Sequence, residues 1–430
     1  MDALTKDGGL RVCVDARAPD GIGGTQQVMI GLASALSQLT DGDEEYLFLV
    51  EKAFRGWEWV RSYLHGPCRV LEPRRQAGQS RRTFLQRVGR FPGTRWMRWM
   101  RERYPNLPGM GVSAPAESDG TIEAAGVEVM HFTQQSGFRT RVPSIYMPYD
   151  LQHVHLPEFF TRREVATREQ NYGIMCRQAE IVVALTKAGK RDLVEHYGLP
   201  EERVQVVSMA PVLTAYPTPG AADLAAARER LRLPEAFAFY PAQTWRHKNH
   251  LGLLEAVAWL RDERGVKVEV VCSGMKNAYF EVIQQRLTRL RLEGQVRFVG
   301  FVSPMELQAL YRLARCMVFP SKFEGWGMPL TEAFMVGTAA VCSNVPPLSD
   351  QAGDAAVVFD PGNTRAMGEA ILRVWSDEGL RRTLIERGRA NAARFSWDRA
   401  ARTFRACYRK VAGRKMTEED VQLITAEPLC

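Results

Sequence analysis

The stretch from Met317 to Gly337 predicts a strand, a glycine-rich loop and a helix in direct succession. Its first residues, Met317 to Pro320, are apolar and β-prone, as at the end of a buried strand. Pro329 suits the first turn of a helix, because its missing N–H would be unpaired there in any case. Gly337 then stands where that helix would stop. Successive units of this kind build parallel α/β folds.

Two carboxylates belong to this unit, Glu324 in the loop and Glu332 in the first turns of the helix. Gly325 and Gly327 let the backbone approach a ligand without a Cβ clash. Free N–H groups at the helix start favour phosphate. Glu332 is suited to accept hydrogen bonds from ribose hydroxyls, and Glu324 from a sugar. The competing interpretation is an ordinary turn with two solvated glutamates, but the Gly-x-Gly-x-Pro pattern between the carboxylates favours a ligand site.

Strands alternate with helices along the rest of the chain, in two series. Strands are predicted at 10–15, 46–50, 127–132, 144–147, 180–185 and 203–207, and then at 237–240, 266–272, 296–301, 317–320 and 355–359. The stretch from Met209 to Gly220 contains three prolines and is typical of an interdomain linker. The pattern therefore predicts an α/β protein with two doubly wound, Rossmann-like domains.

The sequence FEGWGMPLTEAFMVGTAAVCSNVPPLSDQAGDAA resembles the signature of family 4 retaining glycosyltransferases, a part of the group 1 glycosyltransferases. That signature is usually E-G-F-G-L-P-x-x-E-A, and here Trp326 and Met328 take the places of Phe and Leu. The resemblance is strongest between 237 and 359. It implies the GT-B architecture, in which two Rossmann-like domains face a cleft.

Four segments follow from this resemblance. They are an acceptor-side domain at 1–215, a nucleotide-sugar-binding domain at 216–395, a helix at 396–413 that crosses back to the first domain, and a tail at 414–430. The tail from Thr417 onward is expected to be loosely attached.

The resemblance also implies a set of site residues. Donor binding is expected from Glu332, Gly23, Gly24, Gly274, Gly325, Trp326, Gly327, Met328 and Pro329, and catalysis from Glu324, Lys248, Arg246, Asp150 and His153. Lys248 matches the family lysine that neutralises the donor diphosphate, whose charge grows as it leaves. Many members carry an arginine about five residues earlier, where this chain has Gln243. Either Arg246 supplies that charge or the backbone of the loop suffices.

A second departure lies in the stretch MPYDLQHVHLPEFF, which resembles the family's H-D-x-x-H segment at the reaction centre. Tyr149 takes the place of the first His, while Asp150 is present. Tyrosine is a poor base because its ordinary pKa is about 10. Either His153 or His155 substitutes, or the step needs no strong base.

Charge is concentrated in one part of the chain. The net charge is +8, and the segment from Arg69 to Arg103 holds eleven arginines and two glutamates, interleaved with Trp and Met. Three interpretations stay open: a solvated basic face, a helix on an anionic membrane surface, and a nucleic-acid-binding segment. The membrane surface is favoured, because Arg suits anionic headgroups and Trp the acyl boundary, and no nucleic-acid partner is expected.

Other features of the sequence predict a cytoplasmic protein that lies peripherally on the inner face of the plasma membrane. The chain start lacks a secretory pattern, and no apolar run is long enough to span a bilayer. Eight scattered cysteines without a CxxC pair are typical of free thiols in a reducing compartment. No Asp-x-Asp stands at a strand end to hold a metal ion.

The predicted activity is retaining transfer of a hexose, mannose or a related sugar, from a nucleoside-diphosphate sugar to a hydroxyl. The acceptor would be a saccharide or a lipid-linked saccharide in polysaccharide or glycoconjugate biosynthesis, and no metal or cofactor is expected. One alternative is a sugar-nucleotide epimerase or phosphorylase of similar architecture. The other is a non-enzymatic protein that binds membrane or nucleic acid on a decayed transferase scaffold.

Overall fold

The computed structural model describes residues 8–17, 23–51, 57–73 and 114–430. These residues form two compact units. Unit 1 comprises the chain up to Val207 together with Ala401–Glu427, and unit 2 comprises Ser208–Ala400 and Pro428–Cys430.

Unit 1 is built on a parallel sheet. Its strands are β1 (Arg11–Asp15), β2 (Glu45–Leu49), β3 (Cys68–Leu71), β4 (Val129–Phe132), β5 (Ser144–Tyr146), β6 (Ile181–Ala184) and β7 (Val204–Val206). Its helices are α1 (Gly24–Leu36), α2 (Thr121–Ala124), α3 (Gln152–His155), α4 (Arg162–Gln178) and α5 (Lys187–Tyr197), with short 3-10 turns at 57–63, 157–159 and 201–203. The strand order is β3-β2-β1-β4-β5-β6-β7.

Unit 2 repeats this plan. Its helices are α6 (Ala221–Arg230), α7 (His250–Arg264), α8 (Phe280–Arg289), α9 (Pro304–Leu313), α10 (Met328–Val336), α11 (Pro346–Ala352), α12 (Thr364–Ser376) and α13 (Glu378–Ala392). Its strands are β8 (Ala238–Pro241), β9 (Val270–Ser273), β10 (Val296–Gly300), β11 (Cys316–Phe319), β12 (Ala340–Ser343) and β13 (Ala356–Phe359), in the order β10-β9-β8-β11-β12-β13. Two 3-10 turns lie at 212–215 and 246–248. Helix α14 (Trp397–Val411) begins in unit 2 and continues into unit 1, which also contains α15 (Glu418–Thr425).

The central strands are apolar on both faces. Every residue of β11 is buried, and β6 and β12 show the same continuous burial. Parallel strands need helices over both faces of the sheet, so they lack the alternation of half-exposed strands. The predicted doubly wound α/β class is confirmed.

The strand order reverses at one place in each sheet. In unit 2, the strands that follow β8 are added on one side of it, and the strands that follow its neighbour β11 are added on the other side. The neighbouring strands β1 and β4 mark the same reversal in unit 1. Ligands of open parallel sheets bind outside the carboxyl ends of the strands at such a reversal. The loops after β8 and β11 are therefore the expected ligand-binding loops of unit 2.

Two segments differ from their predicted roles. Met209, Val212 and Leu213 of the predicted linker are buried, and Leu213 belongs to the core of unit 2, so the division lies after Val207 and not after 215. The tail from Thr417 is not loosely attached. It forms α15, and the buried Asp420 carboxylate pairs with Arg409 at 2.8 Å.

Candidate active site

The loop after β11 leads into the N-terminus of α10, and glycine sets its geometry. Gly327 lies directly before α10 with φ of 103°. A Cβ at this position would lie 2.3 Å from Cδ2 of Leu348. Met328 and Pro329 then form the first turn of α10, to which no side chain adds a cap. The start of α10 therefore offers a partial positive charge to an anion.

Lys248 and Glu324 form an ion pair at the reversal of the unit 2 sheet. Nζ of Lys248 lies 2.5 Å from Oε1 of Glu324, and the two side chains are only 17% and 11% exposed. The Tyr240 hydroxyl donates to the carbonyl oxygen of Lys248 at 2.5 Å. The loops after β8 and β11 are also joined by a bond from the Lys322 N–H to the His247 carbonyl at 2.7 Å. The structure thus brings together the lysine and the glutamate that the sequence singled out.

Glu332 lies inside unit 2, and this excludes the interpretation of two solvated glutamates. Its side chain is 4% exposed, and its Oε2 accepts a 2.8 Å hydrogen bond from the hydroxyl of Tyr311 on α9. Burial raises the pKa of Glu332 to about 7, and the hydrogen bond from Tyr311 opposes that rise. The carboxyl group therefore titrates near neutral pH.

Other predicted site residues of unit 2 take varied positions. Arg246 lies on the same 3-10 turn as Lys248, with its guanidinium 5.8 Å from the ring centre of Tyr279. Gly274 has φ of 127°, and its N–H donates to the carbonyl of Gly300 at 2.8 Å. A Cβ at Gly274 would lie 2.4 Å from the carbonyl oxygen of Ala242, so the loops after β8 and β9 pack closely here, and a donor-binding role for Gly274 stays a prediction.

The loop between Glu324 and Glu332 presents backbone groups to a ligand rather than side chains. Gly325 is half-buried. The Trp326 side chain is 5% exposed and packs edge-on against Phe395, at 5.4 Å between ring centres. The Trp326 carbonyl accepts from the Gln351 amide at 2.5 Å. The Trp326 side chain thus holds the loop in place from the interior, and a donor-binding role for this residue stays a prediction.

In unit 1, the strand reversal brings polar groups to the carboxyl ends of β1 and β4. The Asp15 carboxylate is buried and forms two 2.8 Å hydrogen bonds with Arg17. The Thr133 hydroxyl donates to the Asp15 carbonyl. Gly23 precedes α1 with φ of 75°, and Gly24 begins the helix. A glycine turn and a buried ion pair therefore lie at this edge, where a ligand-binding crevice is expected.

The segment that carries Tyr149 and Asp150 has an unusual backbone. Tyr149 has φ of 71°, which is rare for a side-chain-bearing residue. Burial raises the pKa of the Tyr149 hydroxyl well above its ordinary value, so this group stays protonated. The Asp150 carboxylate accepts from the backbone N–H of Gln152 at 3.0 Å, which fixes the start of α3.

The two candidate histidines lie in different surroundings. His153 is fully buried, 5.0 Å from the Tyr172 ring and with Nε2 2.9 Å from a Glu169 carboxylate oxygen. Burial lowers the pKa of His153 to about 4, which makes it a weak base. His155 is partly exposed and pairs with Asp192 at 2.8 Å. These positions favour structural roles for both, and a catalytic His153 stays a prediction.

The Arg-rich segment lies almost wholly outside the described residues, which resume at 114. Arg69 is described on β3, where its guanidinium donates to the carbonyls of Gly66 and Cys68 at 2.6 and 2.8 Å. Within the described part of the chain, no helix combines the length and the hydrophobicity needed to span a bilayer.

Two tyrosines of the site had no signal in the sequence. Tyr311 reaches Glu332 from a separate helix, and Tyr240 reaches the backbone of Lys248 from β8. Both lie in apolar patterns that predict only core packing. Neither hydroxyl could be matched to a partner before the fold was known.

Comparison with known proteins agrees with this geometry. Residues 224–391 match the family model described as "Glycosyl transferases group 1". HepE of Anabaena, solved in complex with UDP and glucose, superposes with a TM-score of 0.68 at 16% identity, over 93% of this chain and 100% of that one. The protein therefore has the GT-B glycosyltransferase fold, as the sequence predicted.

Curated relatives include two mannosyltransferases of Escherichia coli. O-antigen chain mannosyltransferase B is 28% identical over 60% of this chain and 70% of its own length. The serotype-specific mannosyltransferase WbdA is 27% identical over 52% of this chain, but the match spans only 28% of WbdA. Together with the family match over residues 224–391 and the fold, these similarities support a glycosyl transfer role for this chain.

Proposed function

We propose that the protein transfers mannose from a nucleoside-diphosphate mannose to a hydroxyl of a saccharide or lipid-linked acceptor in polysaccharide biosynthesis. The observation that carries this proposal is the shielded Lys248–Glu324 pair on the two loops at the strand reversal of unit 2. The similarity to O-antigen mannosyltransferase B and to WbdA supports mannose as the sugar and a polysaccharide as the product.

In this proposal the donor diphosphate binds between Lys248 and the start of α10. On arrival it competes with Glu324 for the lysine ammonium group. Lys248 then neutralises the phosphate oxygens, together with the backbone at Gly327 and Met328. The carboxylate of Glu324 is released to accept hydrogen bonds from the transferred sugar, while Glu332 accepts from the ribose.

The reaction breaks the bond between the anomeric carbon and the diphosphate oxygen, which leaves with the electron pair. The acceptor oxygen forms the new bond to that carbon, and its proton passes to an oxygen of the departing diphosphate. Lys248 and the α10 dipole stabilise the charge that grows on the leaving group, and Glu324 stabilises positive charge on the sugar ring. Retention of configuration is part of the proposal, as the resemblance to family 4 implies.

We propose further that no metal ion or organic cofactor takes part. The cation of Lys248, with support from Arg246, and the helix N-terminus supply the positive charge that a divalent ion would otherwise supply. Treatment with a chelator and dialysis should therefore leave the transfer rate unchanged. A rate that falls and returns on addition of magnesium or manganese would refute this part of the proposal.

Roles in unit 1 and at a membrane complete the proposal. Gly23 and Gly24 would let the backbone approach the donor, and Asp150 would bind the transferred sugar near the reaction centre. The segment from Arg69 to Arg103 would bring the enzyme to an anionic membrane surface in the cytoplasm, where lipid-linked acceptors lie.

A panel of nucleotide sugars tests donor binding. Thermal unfolding is followed with GDP-mannose, UDP-glucose, UDP-N-acetylglucosamine, dTDP-glucose and ADP-glucose. A ligand at 100 times its Kd stabilises the fold by about 2.7 kcal/mol, which raises Tm by a few degrees. We expect one nucleotide series to shift the wild type, and Lys248→Ala to lose that shift. The absence of a shift with every donor would count against the proposal.

Transfer is then measured by mass spectrometry with a mannose-containing oligosaccharide as acceptor. A gain of one hexose on the acceptor, matched by release of the nucleoside diphosphate, is expected with GDP-mannose. Conversion of the donor sugar without an acceptor would indicate an epimerase instead.

A further inference from the structure

We propose that Tyr311 is a positioning residue for donor binding. Its hydroxyl fixes one oxygen of the Glu332 carboxylate, so that the other oxygen is presented to the ribose. This inference rests on the proposed function, because it assigns to Glu332 the ribose of a nucleoside-diphosphate donor.

The contact is short and shielded from water. The Tyr311 side chain is fully buried, Glu332 is 4% exposed, and the hydroxyl lies 2.8 Å from Oε2 of Glu332. The same hydroxyl lies 3.3 Å from the carbonyl oxygen of Pro329, in the first turn of α10. A hydrogen bond to a charged group in such surroundings is stronger than one at the surface.

The rest of Tyr311 is held as firmly as its hydroxyl. Its carbonyl oxygen accepts a 2.8 Å hydrogen bond from the Thr338 hydroxyl, just beyond the end of α10. Its ring packs edge-on against Phe239, at 5.1 Å between ring centres. Tyr311 is therefore held near the first turn of α10, just after the end of α10, and by the packing of its buried ring.

The remaining oxygen of Glu332 is the one that a ligand can use. Tyr311 is the hydrogen-bond partner of this carboxyl group among the described residues, and it occupies Oε2. Because the Tyr311 hydroxyl holds Oε2, the direction of the other carboxylate oxygen, Oε1, is fixed as well. Ordering this acceptor before the donor arrives lowers the cost of binding.

The test compares ribonucleotides with their deoxy forms. Dissociation constants of GDP and UDP, and of the 2′-deoxy and 3′-deoxy form of each, are measured by calorimetry. For the nucleotide that binds, we expect the wild type to favour the ribo form over at least one deoxy form. The preference should be about tenfold or more, the size of one hydrogen bond to a charged group.

The variant Tyr311→Phe removes the hydroxyl and keeps the ring. We expect the ribo preference to fall to less than about threefold, while affinity for the deoxy form changes less than about twofold. Tyr146→Phe is the matched control, because Tyr146 is equally buried and its hydroxyl donates only to a backbone carbonyl in unit 1, that of Gln135 at 2.8 Å. It should keep the wild-type preference.

A second comparison separates positioning from structural damage. Glu332→Gln should lower the ribo preference by itself, and adding Tyr311→Phe should lower it no further. If Tyr311→Phe weakens ribo and deoxy forms equally, or keeps the full ribo preference, the inference is overturned. If the wild type shows no ribo preference or binds no nucleotide, the proposed donor site itself is wrong.

Discussion

At the scale of single residues, Glu332 is held between opposing effects on its pKa. Burial favours the neutral acid and raises the pKa to about 7, while the Tyr311 hydroxyl favours the ionised form. Ribose hydroxyls donate to a carboxylate better than to a carboxylic acid. The protonation of one buried group should therefore affect both ligand binding and stability.

Donor affinity should depend on pH near neutrality. As pH falls through about 7, Glu332 takes up a proton and becomes a weaker acceptor, so the Kd of the donor nucleotide should rise. The Kd is measured between pH 5.5 and 8.5. Glu332→Gln should remove the change near pH 7, and a wild-type Kd that is constant over this range would contradict the assignment.

The free energy of unfolding should depend on the protonation of Glu332, and the direction of this pH dependence follows from its raised pKa. The pKa of Glu332 is raised in the folded chain, so its contribution is fully present below about 4.5, the unfolded value, and is lost as pH rises through about 7. Glu332→Gln should therefore raise the free energy of unfolding relative to wild type above pH 7, by up to about 3 kcal/mol. At pH 4.5 the two proteins should be similar. Urea denaturation at both pH values measures this, and an equal difference at both would refute it.

Glu324, the second carboxylate of the candidate site, should contribute to the rate of transfer. Glu324→Gln keeps the shape but removes the negative charge beside Lys248. We expect kcat to fall by about a hundredfold or more, because charge on the sugar ring in the transition state loses its partner. The KM for the donor should change much less. The control is Glu269→Gln, at a partly exposed glutamate that pairs with Lys267, and steady-state kinetics measure both.

The site carboxylates and Lys248 were predictable because each belongs to a short motif with its own spacing. Residues whose roles depend on distant partners were not predictable. Tyr311 meets Glu332 from another helix, and Trp326 turns inward onto Phe395. His153 is buried against Tyr172, and the sequence pattern around His153 does not predict this burial.

At the scale of elements, the turn into α10 depends on a glycine. Gly327→Ala should cost about 1–2 kcal/mol for the left-handed backbone, and more for the contact with Leu348. Donor binding should weaken with it, because the start of α10 moves. Urea denaturation and calorimetry measure the two effects.

The control for Gly327→Ala is a substitution at the start of α9. There Ser303 caps the helix through reciprocal hydrogen bonds with Glu306. Ser303→Ala should cost about 1 kcal/mol and leave donor affinity unchanged. If Gly327→Ala likewise leaves donor affinity unchanged, the start of α10 is not part of the site.

Strands were predictable from apolar runs, and the start and end of α10 were predictable from Pro329 and Gly337. The segment from Met209 to Gly220 was misjudged, because prolines indicate a break in secondary structure but not exposure. Leu213 packs into the core of unit 2 in spite of them.

At the scale of the whole molecule, the C-terminal segment Ala401–Glu427 belongs to unit 1. Arg409 on α14 pairs with Glu44 at 2.6 Å and with Asp420 at 2.8 Å, and both carboxylates are about 1% exposed. Two segments far apart in sequence are therefore tied by one guanidinium. The acidic tail sequence alone did not indicate this burial.

Arg409→Met should destabilise the fold by about 3–5 kcal/mol, because it leaves two buried carboxylates without their cation. Arg402→Met is the control. Arg402 pairs with the half-exposed Asp41 at 3.1 Å, and its loss should cost less than about 1 kcal/mol. The free energy of unfolding in urea tests both, and equal losses would contradict the account of the chain end.

The central claim is that Lys248 neutralises the donor diphosphate during sugar transfer. The most direct test compares initial transfer rates of Lys248→Ala and Lys267→Ala, with the donor that gives the largest thermal shift. Lys267 is 63% exposed and pairs with Glu269 at 3.3 Å, which makes it a matched surface lysine. We predict a loss of about a hundredfold or more for Lys248→Ala and less than about twofold for Lys267→Ala. Similar rates for the two variants would contradict the account.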